Sequence, residues 1–124
     1  MAWNYASPEG SAPQVGGSVG PADFWTYRSL RGIIQMRPTD IERATGTSWQ
    51  YASMHVQLLD SNGVVHASGT MGKQWGVTPG YTHLGTLSVW RSLRFRISIS
   101  TQPGGYAGLW SYFQSSLRWD PNIF

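Results

Sequence analysis

Residues 52–71, ASMHVQLLDSNGVVHASGTM, constrain the fold more than any other stretch of this chain. Ala52, Met54, Val56 and Leu58 alternate with Ser53, His55, Gln57 and Leu59, the period of two expected of a strand with one buried face. Asp60-Ser61-Asn62-Gly63 supplies four turn residues, and Gly63 suits the positive φ that closes a type I turn with a bulge. Pairing Leu59 with Val64 sets Met54 opposite Gly69, Val56 opposite Ala67 and Leu58 opposite Val65. The other face then receives Gln57 beside His66 and His55 beside Ser68. One register thus sorts both strands into an apolar and a polar side, the consistency expected of a hairpin in a β-protein.

The remaining chain supports that reading. Phe24–Arg37 places Leu30, Ile34 and Met36 on one parity and Arg31, Gln35 and Arg37 on the other, with Gly32 marking a bulge or a close approach. Pro38–Glu42 has the pattern of a short helical turn capped by Thr39. Ala44–Thr47 leads into a strand expected to begin near Ser48, and Gly72–Gly80 reads as a loop. Tyr81–Trp90 follows as a strand. Leu93, Phe95, Ile97 and Ile99 alternate with Arg94, Arg96, Ser98 and Ser100, and Gln102–Gly105 is a turn. Tyr106–Trp119 carries enough Trp, Tyr and Phe to be read as strand rather than helix.

At 124 residues the chain fits one domain. The expectation is an all-β antiparallel sandwich of jelly-roll or immunoglobulin-like character, with six to eight strands over residues 24–124. Residues 1–23, rich in Gly, Pro and Ser, are expected to form an extended arm, with Trp3 and Tyr5 as its anchors. Trp25, Trp90, Phe95 and Phe113 are the aromatic side chains assigned to the core.

Composition narrows function by exclusion. Charged residues are 12 % of the chain and the formal charge is +3, too mild for a nucleic-acid protein with a concentrated basic patch. The absence of cysteine removes disulfides, thiolate metal sites and a cysteine nucleophile. No apolar run approaches the roughly 20 residues of a membrane-spanning helix, and no apolar core of a secretory signal is read at the N-terminus. Phosphate-loop and nucleophile-elbow patterns are missing, and the six acids show no strand-borne pair at a readable spacing. His55 and His66 are expected on one outer face without a carboxylate to complete a metal site. No catalytic residue, metal or cofactor is therefore assigned.

The candidate binding residues are aromatic and polar. Trp49 and Tyr51 continue the His55, Gln57 and His66 face, and Trp75 and Tyr81 flank a Gly/Pro loop suited to recognition. Arg94 and Arg96 form a basic face. These features fit a non-enzymatic interaction or assembly module, extracellular or particle-associated, that binds another protein or another copy of itself through the arm and the aromatic face. Two alternatives are a lectin-like domain stacking sugars on exposed Trp and Tyr, and a small secreted toxin, bacteriocin-like, acting at membranes.

Overall fold

The computed structural model describes residues 2–13, 22–43, 51–101 and 110–123. Seven strands are present among them: β1 (Asn4–Ala6), β2 (Glu9–Pro13), β3 (Ala22–Arg43), β4 (Tyr51–Leu59), β5 (Val65–Gln74), β6 (Thr82–Thr101) and β7 (Trp110–Asp120). All pair antiparallel in the order β1-β7-β3-β6-β4-β5, with β2 joining β7 beyond β1. The chain is an antiparallel β-sandwich.

Two strands make one sheet serve as two layers. The 22 residues of β3 would reach about 70 Å if straight, roughly twice the diameter expected of a domain this size. They bend instead. Pairing with β6 slips between Leu30 and Gly32, so Ala22–Leu30 lies against the second half of β6 and Gly32–Met36 against its first half. Gly32 has φ of +82°, and a Cβ there would overlap the Asp120 carbonyl oxygen of β7. Strands that pass from one layer to the other through a bulge form the corners of such sandwiches. The fold-back brings β5 onto the first half of β6, where a Cβ at Gly69 would meet the tip of Leu84 and one at Gly85 would crowd the Cβ of Ala67.

Alternation fills the space between the layers. Leu30, Ile34, Met36, Met54, Val56, Leu58, Leu93, Phe95, Ile97, Ile99, Phe113 and Leu117 are essentially inaccessible and form one cluster. The predicted faces of Ala52–Leu58 and of Leu93–Ser100 are those observed.

Four expectations change. The hairpin register is shifted by two residues, with Met54 opposite Met71, Val56 opposite Gly69 and Leu58 opposite Ala67. Leu59 faces Val65, so the strand holds an extra residue at His66. The turn explains this: Asp60 N–H donates to Val64 O at 3.0 Å, and the Asp60 carboxylate accepts from Asn62 and Val64 N–H. Residues 60–64 therefore separate the paired Leu59 and Val65, one residue more than a Leu59–Val64 pairing closes. The shift by two keeps the side chains from Ala52 to Leu58 on their predicted faces, whereas the bulge buries Leu59, read on the polar side, and exposes Val65, read on the apolar side. Pro38–Glu42 is strand, not a helical turn; the slip between Pro38 and Asp40 accommodates the missing N–H and returns Ile41 to the core opposite Phe113. Trp90 is exposed rather than buried. Strand β5 continues through Gln74, and Lys73, assigned to a loop, is buried with its ammonium donating to Gln74 O at 2.7 Å.

Residues 1–23 contribute β1 and β2 to the edge of β7, with Ser115 Oγ donating to Pro8 O. Ala44–Thr47, the strand start near Ser48, the Gln102–Gly105 turn, the first residues of the 106–119 run and the side chain of Trp25 lie outside the described residues.

Gly32→Ala is expected to lower unfolding free energy by about 3 kcal/mol, since it combines positive φ with overlap on backbone that cannot move. Gly63→Ala has φ of +79° but open space around it, so its cost should stay near 1 kcal/mol. Urea denaturation of both variants measures the difference.

Candidate binding faces

The β4 and β6 outer parities bring two predicted groups together. Gln57 lies directly opposite Arg96, Leu59 opposite Arg94 and His55 opposite Ser98. A shallow depression of about 320 Å³ is lined by His55, Gln57, Ser68, Thr70, Arg96 and Ser98. His55 is held on both sides, its Nδ1 3.1 Å from Thr70 Oγ1 and its Nε2 3.0 Å from Ser100 Oγ. Burial holds the His55 pKa below the usual histidine value of 6.5.

The other predicted residues do not join this depression. Tyr51 begins β4 and leans over Gly72. His66 turns to the hairpin loop, its Nε2 2.7 Å from Asp60 Oδ2. That bond, with the N–H donors of Val64 and Asn62, holds the Asp60 carboxyl below its usual range. The expectation that no carboxylate stands beside the histidines is thus corrected. Trp75 occupies the tight turn after β5, exposed, with Gly76 at φ of +77°. Trp49 lies outside the described residues. Among the described residues, no group of three His, Asp or Glu is placed to hold a metal ion.

On the opposite layer stands a stack that sequence reading missed. The Arg118 guanidinium lies 3.8 Å from the Tyr81 ring centre and 4.2 Å from that of Trp3. Arg37 covers Tyr81 at 4.4 Å. Arg118 also donates twice to Gln35 Oε1, at 2.9 and 2.6 Å, and the Tyr81 and Ser116 hydroxyls are 2.7 Å apart. Trp3 is therefore an anchor within its own chain, while Tyr5, across from Arg118, stays exposed. The signal was available: Arg118 and Ser116 occupy the parity opposite Phe113, Leu117 and Trp119.

Farther along the same layer, Asp40 and Glu42 project from β3 beside Gln114 and Tyr112 of β7, with Glu9 of β2 opposite Gln114. These residues line a depression of about 360 Å³. A hydrogen bond and like-charge repulsion from Asp40 raise the Glu42 pKa. This strand-borne acid pair corrects the expectation that none exists; the i, i+2 spacing was hidden by the helical reading of Pro38–Glu42.

No protein-family model and no curated protein matches the chain. Among solved structures, the infectious bursal disease virus VP2 subviral particle aligns over 98 % of this chain at 12 % identity, with a TM-score of 0.51. The structure of the Gx strain of the same virus covers 95 % at 13 % identity with a TM-score of 0.48, and that of the Gt strain 94 % at 10 % with 0.45. The chain spans about a third of the length of those chains, 34, 32 and 32 % respectively. The likeness is one of fold.

Two outcomes follow. Protonating His55 is harder in the folded chain than in the unfolded one, so the unfolded state binds more protons and stability falls as pH drops below 6.5. His55→Gln should flatten that slope in chemical denaturation at pH 5 and pH 7.5, and the His55 ring protons should titrate below 6.5 by NMR. Trp3→Ala should cost about 1 kcal/mol and raise amide hydrogen exchange in Asn4–Ala6 while leaving the core of β4 protected.

Proposed function

We propose that this chain is a non-enzymatic assembly module whose partner is another copy of itself, working as a subunit of a larger particle. One observation carries the reading: Val64, Val65, Val89 and Trp90 are 52, 42, 52 and 53 % exposed, and the hairpin turn that precedes the first two valines lies across one depression from Trp90. Asp60–Asn62 and Trp90–Ser92 line that depression. The antiparallel run of β5 along the first half of β6 carries Val64 and Val65 toward Leu87–Val89. Grouped apolar side chains on a surface mark protein–protein contacts, and a tryptophan is a favoured anchor in them.

The fold agrees with this role. A protein solved as a subviral particle shares the sandwich over nearly the whole chain. Self-association through the outer surface also suits the arm, whose described strands pair with β7. The aromatic residues named for sugar stacking are spread over separate places: Tyr51 on Gly72, Trp75 in a turn, Tyr81 between arginines.

The test is the mass of the full chain against concentration by multi-angle light scattering. Mass should climb above the 13.8 kDa monomer as concentration rises, and Trp90→Asp should return it to the monomer. A constant monomer mass for the wild type under all conditions would refute the reading.

A further inference from the structure

We infer that the contact is head to tail: the Trp90–Arg91 corner of one copy docks on the Tyr112 depression of the next, with Arg91 between Asp40 and Glu42. This rests on the assembly reading above and names the two surfaces that meet.

The corner carries an apolar group with a cation beside it. Trp90 and Val89 are exposed, and Arg91 is exposed next to them. The depression carries the complementary set. Tyr112, 52 % exposed, lines it, with Asp40 and Glu42 of β3 on one side of β7 and exposed Glu9 of β2 on the other. A planar guanidinium matches two neighbouring carboxylates better than an ammonium would. Its arrival relieves the repulsion between Asp40 and Glu42 that already raises the Glu42 pKa. Tyr112 offers the Trp90 ring an aromatic surface to pack on.

Charge also sets the symmetry. Two acidic depressions face to face repel, so that surface does not suit a contact with its own copy. The complementary pairing joins different surfaces and is heterologous, which generates rings or open arrays rather than a closed two-fold dimer. The positions allow repetition. Arg91 pairs with Leu30 at the bend of β3, and Tyr112 pairs with Glu42 near its end. Eleven residues of β3, spanning its bend and a bulge, lie between those two pairings, so the surfaces occupy separate places on the molecule and both can be occupied at once.

Sedimentation velocity of the full chain at low salt tests this, using Arg91→Glu, Glu42→Arg and their equimolar mixture, with circular dichroism to establish folding. Wild type is expected to associate, and each variant alone to associate at least tenfold more weakly. The mixture is expected to recover wild-type association, because each contact then pairs opposite charges. Should Glu42→Arg fail to fold, Glu9→Arg at an exposed position replaces it. Wild-type association with both variants unaffected, or weakened variants that the mixture does not rescue, overturns the head-to-tail contact while leaving the assembly reading intact. A wild type that stays monomeric overturns both.

Discussion

The fold turns on the place where β3 crosses from one layer to the other, and Gly32 is what allows it. With φ of +82° and the Asp120 carbonyl occupying the space of a side chain, the backbone of β3 closes directly on that of β7. Leu30 before the bend and Ile34 after it both remain buried. One strand thus feeds the same core from two layers. Asp120 does more than fill the gap. Its buried carboxylate accepts from Ala2 N–H and Asn122 N–H, each at 3.0 Å, so the N-terminal strands, the middle of the chain and the C-terminal turn are tied at one point. A buried carboxylate needs such donors, because leaving it unpaired costs several kcal/mol.

How much of this was legible follows from what each signal depends on. Side-chain parity is a local property of strand geometry, so Met54, Val56, Leu58, Phe95 and Ile97 were readable as core from spacing alone. Register depends on loop closure. The Asp60 carboxylate, bonded to two N–H groups and to His66, lengthens the turn in a way that residue types alone do not distinguish from a shorter one. Pro38 misled because its helical neighbours, Thr39 and Glu42, satisfy a capping pattern; the ladder with β7 overrides that local preference. Trp90 misled because hydrophobicity is a one-way guide: large apolar residues are not confined to interiors. For the candidate surfaces, sequence found His55, Gln57, Arg94 and Arg96 as two separate faces, and the pairing of β4 with β6 merges them.

The preference for arginine over lysine now has a structural cause. Arg28 lies over Trp119 at 5.6 Å, Arg37 over Tyr81, and Arg118 between Tyr81 and Trp3. A guanidinium is planar and weakly hydrated, so it can lie flat on a ring where an ammonium would keep its water. Eight arginines beside a single lysine therefore need not signify a polyanion surface. In this chain several of them are packing residues that fix aromatic rings, and Tyr81, an apparent recognition residue by its loop position, is one of the rings so fixed.

That assignment leaves the exposed rings in a distinct distribution. Tyr5, Trp75, Trp90 and Tyr112 remain more than half exposed, and three of them lie at turns or strand ends: Trp75 in the turn after β5, Trp90 at the bend, Tyr112 near the start of β7. The β4–β6 face presents Ser, Thr, Gln and His groups beside Arg96, and His55 is bonded to Thr70 and Ser100 across strands. Surfaces of that kind stay wetted and exchange water for protein at little gain. Among the described residues, Trp75, Trp90 and Tyr112 are exposed at turns or strand ends, where association would cost less polar desolvation than on the β4–β6 face. Because the bend at Gly32 is fixed by backbone contact rather than by a mobile hinge, the angle between those ends is a property of the fold itself. Successive copies joined through them would inherit that angle, and its repetition sets whether the array closes.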